Sequence, residues 1–186
     1  MPETILIIAN DAGGANLLAS WCAENDQNHY VYCVTGPAES LFREIIGSFE
    51  NQQQRQLEEA FAGVDRVLCA TGGDAGQLIE SVHIARQKSI PSVVIMDHWA
   101  HYALRFGGDS EFLSNLPDHI WVFDKYAFAQ AVKDGFPRGI ISLHDNPYFE
   151  RIARKVQEIR SNIGDPKSVL YLSEPVTEPL EENGQQ

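Results

Sequence analysis

The densest chemical signal in the chain is the run Asp97-His98-Trp99-Ala100-His101-Tyr102-Ala103-Leu104-Arg105-Phe106, which gathers a carboxylate, two imidazoles, an indole, a phenol and a guanidinium. Asp97 or His98 is suited to general-base work near neutral pH, which makes these two the candidate catalytic residues. Trp99 and Tyr102 are suited to stacking on a sugar or base, and Arg105 to clamping a phosphate or carboxylate. Each has a plainer reading. The aromatics fit the core of a short helix, and Arg105 fits an ion pair with an acidic neighbour such as Asp109. Asp97, His98 and His101 resemble a metal triad, but the histidine pair lacks a strong helix to set its spacing, so no metal is expected.

Two glycine-rich stretches, Asn10-Asp11-Ala12-Gly13-Gly14-Ala15-Asn16 and Thr71-Gly72-Gly73-Asp74-Ala75-Gly76, each follow a strand-like run and open a helix. Glycine there lets the backbone turn tightly and lets a ligand approach the amides of a helix N-terminus. Asn10, Asp11, Gly13, Gly14, Thr71, Gly72 and Gly73 are therefore candidate ligand-binding residues. The alternative is that the glycines only make the turn while Asp11 or Asp74 caps the helix. Neither stretch is a GxGxxG fingerprint or a Walker loop. A carboxylate about 4 Å from a phosphate costs about 1 kcal/mol even in water. Asp11 and Asp74 therefore favour hydroxyl-rich or amine-bearing ligands over a bare phosphate, and Asn10 and Asn16 suit sugar hydroxyls. A GxSxG elbow, a Walker lysine and a convincing cysteine-histidine pair are absent from the sequence, which weakens hydrolase and kinase readings. His29 and His83 are read as surface or capping residues, and Asp124 and Asn146 as helix caps that end strands on the same edge as the glycine loops.

These residues need a scaffold, and the hydrophobic pattern supplies one. Runs rich in β-branched residues alternate with amphipathic stretches, the signature of an α/β parallel sheet covered by helices. Strands are predicted near Ile5 to Ala9, Tyr30 to Thr35, Arg66 to Ala70, Ser92 to Asp97, Ile120 to Asp124 and Ile140 to His144. Consecutive apolar positions, as in Ile5-Leu6-Ile7-Ile8 and Val93-Val94-Ile95-Met96, require cover on both faces and so a three-layer Rossmann-like sandwich of six or seven mostly parallel strands. Helical stripes run through Leu17, Leu18, Trp21 and Cys22, and through Leu78, Ile79, Val82 and Ala85. A further stripe of Ile152, Val156, Ile159 and Ile163 starts after the Asn146-Pro147 cap and stops at Gly164 and Pro166. The stretch from Gly47 to Gly63 reads as helical or as a hidden short strand. Ligands in such sheets settle where the strand order reverses, and the glycine loops are read as following the first and fourth strands, with the Asp97 run after the fifth.

The 186 residues suit one α/β domain over residues 1–167, followed by a terminal strand, Ser168 to Ser173, and an acidic polar tail in residues 168–186. Composition is that of an ordinary globular protein, 44% hydrophobic and 22% charged. The net charge is −12, of which Glu174, Glu178, Glu181 and Glu182 in the tail supply four. Such acidity makes nucleic acid and anionic membrane surfaces poor partners. The three cysteines, Cys22, Cys33 and Cys69, are scattered and without CxxC spacing, which argues against a disulfide framework or zinc site. With no signal-peptide pattern and no apolar stretch near the roughly 20 residues of a membrane span, a cytoplasmic protein is expected. No cofactor is expected either.

Four segments together resemble a known family: Asp97-His98-Trp99-x-x-Tyr102-x-x-Arg105-Phe106, Leu116-Pro117-Asp118-His119-Ile120-Trp121-Val122-Phe123-Asp124, Gly135-Phe136-Pro137 and Asp145-Asn146-Pro147-Tyr148-Phe149. Over roughly Ile5 to Ser173 the chain resembles the N-terminal half of two-domain (GT-B) glycosyltransferases. The likeness is to bacterial polysaccharide-biosynthesis members and their relatives, including glycerophosphotransferases and nucleotide-sugar epimerases. The resemblance implies that Asn10 to Gly14 line the acceptor side and that Asp97 or His98 lies near an interdomain cleft. It implies a sugar or nucleotide-sugar ligand and a second Rossmann domain or homo-oligomer as partner. Asp145 stands where the family's Gly-Asn-Pro has glycine, and Val169-Leu170-Tyr171-Leu172 would open a second domain that does not follow. The alternative is a stand-alone sugar- or nucleotide-binding module without catalysis.

Overall fold

A computed structural model describes residues 1–52, 57–72, 75–108 and 110–160. Six strands form one sheet: β1 (Thr4–Ala9), β2 (His29–Val34), β3 (Arg66–Ala70), β4 (Ser92–Ile95), β5 (His119–Val122) and β6 (Ile141–Leu143). Every pairing between them is parallel, in the order β2-β1-β3-β4-β5-β6. Five helices connect or follow them: α1 (Ala12–Glu24), α2 (Pro37–Ile46), α3 (Gly76–Lys88), α4 (Lys125–Lys133) and α5 (Pro147–Arg160). Short 3-10 turns at Leu57–Phe61, Ala103–Phe106, Phe112–Asn115 and Arg138–Ile140 complete the path.

Alternate side chains of one strand enter opposite cores, which makes the molecule the three-layer Rossmann-like sandwich expected from its apolar runs. Leu6, Ile8, Val67, Cys69, Val94 and Ile120 pack beneath α3 and α4, against Leu78, Val82, Ala127 and Ala131. Ile5, Ile7, Leu68, Ala70, Val93 and Ile95 pack beneath α1 and α2, against Leu17, Leu18, Ala38 and Phe42. On that face α5 lies along α1, tied by Arg154 to Glu24, and contributes Tyr148 to the core edge. Val156 and Ile159 of α5 remain exposed and Ile152 is only half-buried, so the stripe read from the sequence is not carried into the core over its described residues.

Among its described residues, the stretch from Gly47 to Gly63 adds no strand to the sheet. Among its described residues it gives a single parallel bridge, Asn51 to Tyr32, with the Asn51 amide also bonded to both backbone groups of Val34, and then the turn Leu57–Phe61. The second glycine loop therefore follows the third strand and the Asp97 run the fourth. The geometry it was meant to provide survives this correction. The chain steps from β1 outward to β2 and then returns to β3 on the other side of β1, so the loops after β1 and β3 flank the reversal point. β4 ends at Ile95, two residues earlier than expected, because the Asp97 N–H leaves the ladder to bond the Thr71 hydroxyl at 3.1 Å. The segment Ser168 to Ser173 and Ile163 lie outside the described residues, as does the proposed division at residue 167. No helix among the described residues is long and apolar enough to cross a membrane.

Candidate functional site

The segments after the carboxyl ends of β1, β4, β5 and β6 surround a cleft of about 320 Å³, lined by Gly13, Asn16, Asp97, His98, Trp99, Phe123, Asp124, Asn146, Tyr148 and Phe149, together with Leu17, Met96 and Ala127. Its floor is Asp97. The Oδ1 atom of that side chain accepts from the buried Thr71 hydroxyl at 2.5 Å and from Arg105 Nη1 at 2.7 Å. The Asp97 and Arg105 side chains are 10% and 17% exposed, so the pair is largely withdrawn from solvent. Arg105 Nε also reaches the Ala100 carbonyl at 3.4 Å. The guanidinium that the sequence offered as a ligand clamp thus has an acidic partner, and that partner is Asp97; Asp109 lies outside the described residues.

The first glycine loop is shaped by close approach. A Cβ on Gly13 would stand 2.5 Å from Asp97 Oδ2, and one on the buried Gly14 would stand 2.7 Å from the Thr71 carbonyl oxygen. These two positions let α1 settle against the ends of β3 and β4, with the Asp97 carboxylate lying close over Gly13. Asp11 caps α1 with a 2.7 Å bond from the Ala12 N–H, and Asn16 donates back to the Ala12 carbonyl. Gly72 lies against Asn10 and Asp11, where a Cβ would come within 2.9 Å of the Asp11 Cβ. Of the seven loop residues named from the sequence, Gly13 lines the cleft, Thr71 supports its floor, and Asn10, Asp11, Gly14 and Gly72 shape the turns behind it. Gly73 and the neighbouring Asp74 lie outside the described residues.

The outer wall is Trp99. Its ring is 60% exposed, and its indole N–H donates to Asp124 Oδ2 at 2.7 Å. Asp124 is itself the cap of α4, its Oδ1 accepting from the Tyr126 and Ala127 amides at 2.7 and 2.8 Å. Burial alone would raise the pKa of Asp124, but the Ala127 amide, the Trp99 indole and the Tyr126 amide outweigh it, and the net shift is downward. His98 lies beside Trp99, ring centroids 5.8 Å apart, and its Nδ1 accepts from the Ala100 N–H at 3.2 Å. That bond assigns the imidazole proton to Nε2, leaving His98 a donor at its outer nitrogen.

Tyr102, read as a stacking surface, is only 1% exposed and turns its ring edge-on to Phe136 in the core below. Burial, reinforced by the Asp124 carboxylate, pushes its phenol up to about 12, and its hydroxyl has no partner among the described residues. The short-helix reading describes Tyr102 and Phe106, while Trp99 keeps its face to solvent. His101 holds a left-handed backbone, φ 57°, and is exposed away from the cleft lining. His83 bonds Asn115 at 2.8 Å, and Asn115 in turn holds the Phe106 carbonyl, a bracket between α3 and the Ala103–Phe106 turn. No group of three or more metal-binding side chains is found among the described residues.

Phe123, Tyr148 and Phe149 are cleft residues that the loop-by-loop reading did not place there. Their signal was available: each lies within three residues of a strand-ending cap, Asp124 or Asn146, and β5 and β6 open on the same edge as β1 and β3. Asn146 caps α5 by accepting from the Phe149 N–H at 3.0 Å, which swings both aromatic rings to the cleft mouth.

No family model and no curated protein matches the chain in sequence. Solved structures do match in fold. UDP-N-acetylglucosamine 2-epimerase from Rickettsia bellii superposes with a TM-score of 0.58 at 11% identity, over 86% of this chain and 49% of that one. Anabaena Alr3699/HepE in complex with UDP superposes with a TM-score of 0.55 at 10% identity, over 78% of this chain and 44% of that one. The chain thus spans about half the length of either protein and shares with them a Rossmann-like fold of GT-B-like kind.

Proposed function

We propose that this domain handles a sugar in nucleotide-sugar chemistry, as the acceptor-binding half of a glycosyltransferase-like protein of polysaccharide or cell-envelope biosynthesis. The observation that carries the reading is the cleft at the carboxyl edge of the sheet beside the strand-order reversal, with a carboxylate floor, an exposed indole wall and asparagines at its sides. Carboxylate and amide groups pair with hydroxyls in both hydrogen-bonding directions, and an indole face covers the C–H surface of a sugar ring. Fold neighbours that act on, or are bound to, uridine nucleotides support the same class. Catalysis requires a second set of groups brought against this cleft, from another Rossmann-like domain or a second copy, because transfer depends on holding donor and acceptor in one geometry.

The second reading, binding without turnover, is favoured by one feature. Asp97 Oδ1 is engaged by Thr71 and Arg105, and His98 Nδ1 by Ala100, so both candidate bases are occupied by internal partners. Thermal-shift titration separates the two. A ligand at about 100 times its dissociation constant stabilises a protein by roughly 2.7 kcal/mol, which for a domain of this size raises the melting temperature by about 5 to 10 °C. A shift with UDP-sugars supports the transferase lineage. A shift with free sugars and none with any nucleotide sugar supports the binding module. No shift with either class refutes sugar handling.

A further inference from the structure

We propose, resting on the sugar reading above, that the cleft selects neutral and amino sugars and rejects acidic sugars and sugar phosphates. The basis is the disposal of positive charge around it. Among the described residues lining the cleft there is no lysine or arginine. The nearest guanidinium, Arg105, is committed to Asp97 Oδ1 at 2.7 Å. Helix N-termini are the other common source of anion affinity, and three of them meet at this rim. Each of the three carries a capping side chain from the protein itself. Asp11 caps α1 while Asp97 Oδ2 covers Gly13, Asp124 caps α4 through two amides, and Asn146 caps α5.

An anionic ligand entering here meets the Asp124 carboxylate and an Asp97 carboxylate whose counter-charge, Arg105, is already engaged, with no lysine or arginine among the described lining residues, whereas hydroxyls donate to the carboxylates and accept from the outer nitrogen of His98. Asp124 has a double task in this scheme. It fixes the edge of the Trp99 indole at 2.7 Å, holding the ring as a wall, and it places a negative charge beside that wall. It is a positioning and selecting residue, and exclusion comes from unpaired like charge more than from shape.

The full chain is titrated by calorimetry at millimolar concentrations of N-acetylglucosamine, glucosamine, glucuronic acid and glucose 6-phosphate, with tryptophan emission followed in parallel. Trp21 and Trp121 lie together, ring centroids 5.7 Å apart, and neither lines the cleft, so their background is measured directly in the Trp99→Phe variant. N-acetylglucosamine and glucosamine are expected to bind, with both acids at least tenfold weaker. Trp99→Phe abolishes the emission change and weakens the neutral sugars. Asp124→Asn retains a capping side chain while removing the charge, and narrows the preference against glucuronic acid at least threefold. Equal or tighter binding of either acid, or an unaltered preference in Asp124→Asn, overturns the proposal. So does the failure of all four sugars to bind; if UDP-sugars still shift the melting temperature, the functional reading stands and only this selectivity falls.

Discussion

Truncating Arg105 to alanine removes the counter-charge of a carboxylate that stays almost enclosed. At the observed 2.7 Å, two unit charges attract by about 6 kcal/mol at an effective dielectric of 20 and by about 1.5 kcal/mol in bulk water. Removing one partner of a fully buried pair costs about 3 to 5 kcal/mol, because the survivor is left unpaired. Asp97 and Arg105 retain 10% and 17% exposure at the sheet rim, which lets water reach the orphaned group, so we expect about 2 to 3 kcal/mol. Urea denaturation measures this directly, and the melting temperature should fall by about 5 to 10 °C. Asp97→Asn alone keeps an acceptor for Thr71 and should cost less. The double variant should recover about 1 kcal/mol or more of the summed losses, the coupling expected of residues in direct contact. If Arg105→Ala unfolds within about 0.5 kcal/mol of wild type and yet loses sugar binding, the ion pair is not what Arg105 is for, and the ligand-clamp role read from the sequence returns.

Gly14→Ala should destabilise by about 1 to 3 kcal/mol, since the new methyl meets the Thr71 carbonyl at 2.7 Å, whereas Gly139→Ala, with nothing within 4 Å, should stay within about 0.5 kcal/mol; paired urea curves check both. The depressed pKa of Asp124 means that its contribution is complete above the ordinary carboxylate range and is lost as pH falls through the folded value; the stability gap between wild type and Asp124→Ala, about 1 to 2 kcal/mol near neutral pH, should therefore close in acid. His144 is lowered by burial, partly offset by Asp145, and its ring lies 4.4 Å from Trp121, so NMR titration should place its midpoint below 6.5. Its favourable contribution should be present above pH 6.5 and decline as pH falls towards the folded value, a slope absent in His144→Gln.

The fold was legible because each strand carries its own evidence. Val93-Val94-Ile95-Met96 could be apolar at every position only if both faces were covered, and the two cores divide those residues alternately. The strand count around Asn51 was not legible, since a bridge of one residue leaves no periodicity in a glutamine-rich stretch. In the site, chemistry could be read but direction could not. Trp99 and Tyr102 look equivalent on paper, yet the turn Ala103–Phe106 sends one ring to solvent and the other against Phe136. Arg105 was read as a ligand clamp, with an ion pair to an acidic neighbour such as Asp109 as the plainer alternative, and that its partner is Asp97 could not be read without the path of the chain after β4.

Thr71 shows what this architecture does to the cleft. Its hydroxyl takes the Asp97 amide and returns a bond to the Asp97 carboxylate, so the ends of two neighbouring strands are laced to each other and, through Arg105, to the loop beyond. The base of the cleft is consequently set before any guest arrives, and little ordering entropy remains to be lost there. Accommodation of differently shaped guests then falls to the mouth, where Trp99 and Phe149 stand with most of their surface in water. Changes of preference between related chains should accordingly concentrate at those outer rings, while the stitched base persists.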